Sequence, residues 1–215
     1  GLSLDDVGGL DRLKRWLMRR RAAFSRAGAE FGLETPKGVL LTGIPGCGKS
    51  LSAKCVAASW NMPLLRLDMG RVFTSLVGAS EERMRHAIEV AEAVAPCVLW
   101  IDEIEKGLVR TGEHIGDSGV SLRVLGTFLT WLQEKTSPVF VVATANEIRQ
   151  LPSEMLRKGR FDGVFFVDLP DPRERSDILR IHVERVGRLE DPLDFPALVD
   201  MSGGMEIGGR QSGMT

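Results

Sequence analysis

The run Val39-Leu40-Leu41-Thr42-Gly43-Ile44-Pro45-Gly46-Cys47-Gly48-Lys49-Ser50 decides the fold. An aliphatic strand pattern ends in Gly-x-x-x-x-Gly-Lys-Ser, and a helix-forming stretch from Leu51 to Trp60 follows. Strand, glycine-rich turn and helix in that order are what a phosphate cradle requires. Gly43, Gly46 and Gly48 let the backbone take conformations that a Cβ resists, so successive N–H groups can converge on one phosphate. The helix adds the positive end of its dipole. Lys49 brings a point charge to the β- and γ-phosphates, and the Ser50 hydroxyl is placed to ligate Mg2+. The competing reading is a glycine-rich turn before a buried helix. Gly-Lys-Ser at a strand end weighs against it, and the pattern predicts nucleotide binding.

Working outward, the chain alternates apolar strands with helices. Leu10, Leu13, Trp16, Leu17, Ala23, Phe24 and Ala27 fall at helical spacing, predicting one helix from Leu10 that ends at Gly28 and Gly32, with Asp5 or Asp6 as its cap. Leu64–Leu67 is a second strand, and residues 81–94 a helix with Met84, Ile88, Ala91 and Ala87 inward. Cys97-Val98-Leu99-Trp100-Ile101 is an apolar strand running into Asp102-Glu103, and Glu105 to Gly119 reads as a mobile polar loop. A helix over 120–134, strands at 139–143 and 164–167, and a helix over 173–186 opened by Asp171-Pro172 complete the pattern. Continuous apolar strands between helices predict a parallel sheet buried on both faces, an α/β sandwich of five strands. Ligands of such sheets sit at the carboxyl ends of the strands, where Ser50, Asp102 and Asn146 can meet.

Composition sets limits. The 215 residues carry 43% hydrophobic residues and a net charge of −1, enough for a core and no electrostatic case for nucleic acid as the main partner. No apolar run approaches membrane-spanning length, and the N-terminus has no signal-peptide pattern. Arg19-Arg20-Arg21 reads as a solvated helix face. Cys47, Cys55 and Cys97, odd in number and without ligand spacing, predict reduced thiols in a reducing compartment. His86, His114 and His182 are scattered and suggest no metal site.

Asp102-Glu103 supplies what a phosphate cradle alone lacks. Asp102 can hold Mg2+ through its water shell, and Glu103 can polarise the attacking water, a role that implies hydrolysis. Acidic residues end many strands, so this signal gains its weight from the cradle before it.

With both constellations in hand, the sequence resembles the AAA family of the AAA+ ATPases over almost its whole length. Asp6-Val7-Gly8-Gly9-Leu10 is similar to the family's opening motif, which implies Asp6 and Gly8 beside the adenine. The cradle is assigned Pro45, Gly46, Cys47, Gly48, Lys49, Ser50 and Leu51. Thr144-Ala145-Asn146 resembles sensor 1, which implies that Asn146 aligns the lytic water or γ-phosphate. Met155-Leu156-Arg157-Lys158-Gly159-Arg160-Phe161-Asp162 resembles the segment whose two arginines, here Arg157 and Arg160, reach the neighbouring subunit's site. Ile178-Leu179-Arg180-Ile181-His182 resembles the helix whose Ile178 and His182 flank the base, and Ser202-Gly203-Gly204 implies Gly203 and Gly204 near the ribose. Ala95–Trp100, Thr127–Trp131 and Glu134–Pro138 look most like a group encoded in cyanobacterial and algal plastid genomes.

The resemblance implies a P-loop NTPase of the ASCE class: a three-layer sandwich over residues 1–170, then a helical lid over 171–215. That lid is expected to be truncated, because 208–215 is poor helix material. It further implies ATP/ADP and Mg2+, a ring of six subunits, and a protein substrate gripped at the pore loop Leu76-Val77-Gly78. Leu76 stands there in place of the usual aromatic, and the chain has no tyrosine. His114, with Gly112–Gly119, would lie in a second pore-facing loop. Ile44 and Cys47 also depart from the family's Pro and Thr. The leading expectation is an ATPase that remodels a protein partner in the cytoplasm or plastid stroma. The alternatives are an ATP-dependent assembly switch with little turnover, and a nucleic-acid motor, which the charge disfavours.

Overall fold

A computed structural model describes residues 2–72, 79–106, 118–188 and 191–203, the side chains of 118–122 aside. The chain falls into two compact units, Gly1–Leu169 and Pro170–Thr215. The first unit holds strands β1 (Gly38–Gly43), β2 (Leu64–Asp68), β3 (Cys97–Asp102), β4 (Val139–Ala145) and β5 (Gly163–Val167). Its helices are α1 (Asp11–Arg20), α2 (Arg26–Glu30), α3 (Lys49–Trp60), α4 (Met69–Val72), α5 (Ala79–Val94) and α6 (Ser118–Glu134). All strands pair in parallel in the order β2-β3-β4-β1-β5.

The alternation of side chains along each strand builds two cores. Leu40, Leu99, Ile101, Val139, Val141 and Ala143 join Met84, Ile88, Val124, Phe128 and Leu132 of α5 and α6. The opposite-facing Val39, Leu41, Val98, Phe140 and Val142 join Leu13 and Leu17 of α1 and Ala53, Val56, Ala57 and Trp60 of α3. Both faces are covered, so β1 and β4 are buried at every position and carry no polar face. Phe140 anchors the second core, 4.6 Å from the ring of Trp60 and 5.8 Å from Phe24.

Two local expectations fail. The first helix is not continuous. After α1 and a 3-10 turn over Arg21–Phe24, Ser25 is extended and its Oγ accepts the Gly28 N–H at 3.0 Å, starting α2 afresh. Gly28 lies inside α2 instead of ending a helix, and Ala27 is exposed. A Cβ on Gly28 would sit 2.1 Å from the Ala22 carbonyl oxygen, so glycine permits the fold-back. Nor does Asp5 or Asp6 cap α1. Asp6 accepts the Ser3 N–H at 2.6 Å in a capping box around the 3-10 turn Leu4–Asp6, and α1 begins at left-handed Leu10 without a side-chain cap.

The second unit contains α7 (Pro172–Arg185) and α8 (Phe195–Met201). Asp171 and Glu174 form a capping box on α7, and Asp194 caps α8. The Arg180 guanidinium lies 4.6 Å over the Phe195 ring. Among the described residues no helix is long and apolar enough to cross a membrane.

Candidate active site

Because β4 lies between β1 and β3, the carboxyl ends of these three strands open side by side. The chain leaves β1 at Gly43, whose φ of 136° only glycine holds easily, and turns through Gly46 and Gly48, both at φ 84°, into α3. A Cβ at Gly46 or Gly48 would meet nothing within 4 Å, whereas one at Gly43 would strike the Val167 carbonyl oxygen at 2.0 Å. The turn thus encloses open space, with its floor pinned to β5.

Lys49 is 6% exposed and donates to the Gly43 and Ile44 carbonyl oxygens at 2.7 Å each. Burial pulls its pKa below the usual lysine value, opposed by the nearby Cys47, Glu105, Asp102 and Glu103. Cys47 is half-exposed, its Sγ 4.0 Å from the Pro45 carbonyl oxygen. Leu51 sits in the first turn of α3.

At the end of β3, Asp102 Oδ1 accepts from the Ser50 hydroxyl at 2.8 Å and from the Thr144 hydroxyl at 2.7 Å. Its Oδ2 lies 3.7 Å from the Arg66 guanidinium, which also covers the Trp100 ring at 4.8 Å. Glu103 follows at φ 50°, a left-handed conformation that non-glycine residues adopt rarely. Its N–H donates to Thr144 Oγ1 at 3.0 Å, its Oε1 accepts from Asn146 Nδ2 at 3.0 Å, and its Oε2 pairs with Lys106. That contact raises the Lys106 pKa. The cradle, the two acids and Asn146 therefore form one cluster.

The oxygens of Ser50 and Asp102 are hard ligands that suit Mg2+, which takes few protein ligands and keeps waters and phosphate oxygens. The open space over Gly46 and Gly48, beside a buried ammonium, suits a polyphosphate. The residues present fit both groups.

Residues 39–169 match the ATPase family associated with various cellular activities, AAA. The chain belongs to the AAA family. It is 58% identical to the AAA domain-containing protein ycf46 of Pyropia yezoensis over 182 residues, 84% of this chain and 37% of that protein. It is 54% identical to ycf46 of Gracilaria tenuistipitata over 209 residues, 95% of this chain and 42% of that protein. The chloroplastic ATP-dependent zinc metalloprotease FTSH 8 of Arabidopsis thaliana is 35% identical over 191 residues, 85% of this chain and 27% of that one. The chain thus spans about two fifths of the length of the ycf46 proteins it matches. Nucleotide binding and ATPase activity are general properties of the AAA family.

Asp6 and Gly8 belong to an N-terminal segment docked on α3, where the Ser59 hydroxyl accepts the Leu4 N–H at 2.9 Å. Arg157 and Arg160 turn to their own chain: Arg157 lies 3.8 Å from Glu154, and Arg160 donates to the Glu154 carbonyl while its buried Nε has no partner among the described residues. Ile178 and His182 are one turn apart on α7, half-buried and exposed respectively. Gly203 follows α8, close to the Asp200 carbonyl oxygen and Arg175. Gly204, the loop Leu76-Val77-Gly78, His114 and residues 107–117 lie outside the described residues, as do 208–215.

Sequence reading missed three members of the cluster. Thr144 stands out in the sequence only as part of a motif, yet its hydroxyl bridges β3 and β4. Lys106 was not singled out. Glu105 was assigned to a polar loop but is 5% exposed, its Oε1 accepting the Asn146 N–H at 2.9 Å. A carboxylate that serves a main-chain N–H leaves no residue signature in the partner, so no sequence signal marked it.

Proposed function

We propose that this AAA domain hydrolyses ATP, with Mg2+, at a site that works when copies of the chain associate. The contact of Ser50 with Asp102 at 2.8 Å carries the reading, because it joins the cradle to the acid pair across adjacent layers of the fold. Ser50 and Asp102 would hold Mg2+, which supplies positive charge to the β- and γ-phosphate oxygens. Lys49 exchanges its hold on the Gly43 and Ile44 carbonyls for phosphate oxygens; an anion beside it also relieves the burial of its charge. Glu103 accepts the proton of the attacking water, and Asn146, bonded to Glu103 Oε1, orients both.

Arg157 and Arg160 lie at a surface turn; among the described residues Arg157 makes a long ion pair and Arg160 a main-chain contact, which suits arginines that act on a neighbouring copy. A ring, of six subunits by resemblance, would place them there through head-to-tail contacts. By resemblance, Asp6 and Gly8 are proposed as adenine contacts and Leu76-Val77-Gly78 as the grip on a protein partner that hydrolysis remodels; Ile178, His182, Gly203 and Gly204 keep the nucleotide-binding roles that the resemblance implies for the second unit. The thiols of Cys47, Cys55 and Cys97 fit a reducing compartment, cytoplasm or plastid stroma.

A second reading, an ATP-gated assembly switch with little turnover, draws on the Lys106–Glu103 ion pair, which occupies the proposed base. ATP hydrolysis measured against protein concentration separates the two. We expect cooperative activity, lost by roughly 100-fold or more in Glu103→Gln and in Arg160→Ala, with ATP binding kept in Glu103→Gln. Binding without turnover at any concentration would leave the switch.

A further inference from the structure

Where β3 leaves the sheet, its turn stays tied to the end of β4. The Glu103 N–H donates to Thr144 Oγ1 and the Ile104 N–H to the Thr144 carbonyl oxygen at 2.9 Å. Two residues on, just past the end of β4, the Asn146 N–H donates to a side chain, Glu105 Oε1, at 2.9 Å. Glu105 so takes over the acceptor's place at the point where the main chain of β3 has turned away.

Burying a carboxylate is costly, and glutamate is seldom buried unless it is paired. Glu105 is nonetheless 5% exposed, and its Oε2 is buried with no hydrogen-bond partner among the described residues. The bond it does make is to the residue whose amide holds Glu103. A buried side chain that accepts a main-chain N–H holds that stretch of backbone in place, which suits a group that fixes geometry.

We propose that Glu105 is a positioning residue for hydrolysis: its carboxylate clamps the Asn146 main chain and thereby sets the Asn146 amide against Glu103. This rests on the ATPase reading above. The clamp's hydrogen bond goes to Asn146, while the Glu105 charge also favours the ammonium of nearby Lys49; a KM shift common to Glu105→Ala and Glu105→Gln belongs to that charge, and a kcat loss confined to Glu105→Ala belongs to the clamp.

Two measurements on the full chain test it. Amide hydrogen exchange at Asn146 needs no turnover; we expect it to quicken at least about 10-fold in Glu105→Ala and to stay near the parent's in Glu105→Gln, which keeps an acceptor in place. Steady-state kinetics should show kcat falling roughly 100-fold in Glu105→Ala, with KM the same as in Glu105→Gln and melting temperature unchanged, and kcat within about 5-fold of the parent in Glu105→Gln. Combined with Asn146→Ala, Glu105→Ala should add no further loss. Unchanged exchange at Asn146, additive losses, or a fall in melting temperature with a matching rise in KM would each overturn the proposal. Should Glu105→Ala not fold, Glu105→Asp, one methylene short of Asn146, takes its place with the same expectations. A parent chain that binds but does not hydrolyse ATP would sink the ATPase reading, while the exchange measurement still decides whether Glu105 clamps Asn146.

Discussion

Lys135 shows how a single half-buried charge is felt by the whole fold. It follows α6, its ammonium 3.4 Å from the Ser137 carbonyl oxygen and 6.0 Å from the Trp131 ring. Burial, opposed by Asp162, brings its pKa from 10.5 down to about 8. The folded chain therefore gives up this proton near pH 8 while the unfolded chain keeps it to about 10.5, so unfolding takes up a proton in between and stability rises with pH across that window. Replacing the charge should help where it is charged: we expect Lys135→Met to stabilise the fold at pH 7 by about 1–2 kcal/mol, the gain shrinking as pH climbs from 8 towards 10.5. Urea midpoints at several pH values would show it, and a gain independent of pH would mean that charge is not the cause. Lys135 is visible in the sequence only as one more lysine. The charges that act on it, Asp162 and Lys37, come from distant segments, and local spacing carries no trace of that.

The β1–α3 turn separates two uses of glycine. At Gly43 the obstacle is the neighbouring strand, the Val167 carbonyl oxygen lying 2.0 Å from any Cβ; at Gly46 the space is open and only the φ of 84° resists. Gly43→Ala should therefore destabilise the fold by about 3 kcal/mol or more, read as a lower urea midpoint. Gly46→Ala should cost about 1 kcal/mol of stability yet weaken ATP binding at least about 10-fold, because its methyl fills the space over the turn. Equal stability losses at the two positions would refute this division. The turn was legible because its chemistry is local: glycines, a lysine and a hydroxyl at fixed offsets after an aliphatic strand. The break between α1 and α2 was not. Leu10 to Ala27 keeps helical spacing throughout, and the interruption comes from the Ser25 hydroxyl accepting the Gly28 N–H, a bond that periodicity does not encode.

Over the whole molecule, the sheet was legible because both its faces are covered. Runs such as Cys97–Ile101 and Val139–Ala143 have no polar alternation, and a strand without a polar face needs helices on two sides. Strand order is not legible in the residues, and the structure gives it as β2-β3-β4-β1-β5, which sets Asp102 and Asn146 beside the turn. Glu105, Lys106 and Thr144 stayed hidden because their partners lie 3 to 42 positions away and include a main-chain group.

Arg66 has an optical consequence. The chain has four tryptophans and no tyrosine, so tryptophan alone accounts for its near-ultraviolet emission. Trp100 is 6% exposed with two cations over its ring, Lys54 at 5.6 Å and, closer at 4.8 Å, the same Arg66 that leans towards Asp102 at 3.7 Å. A charge arriving at Asp102 competes for that guanidinium and shifts it relative to the indole, altering the colour and yield of the emitted light. ATP with Mg2+ should therefore change the fluorescence of the parent chain, and Trp100→Phe should abolish most of the change. The molecule contains its own dye, placed two residues from the acid whose occupancy it reports.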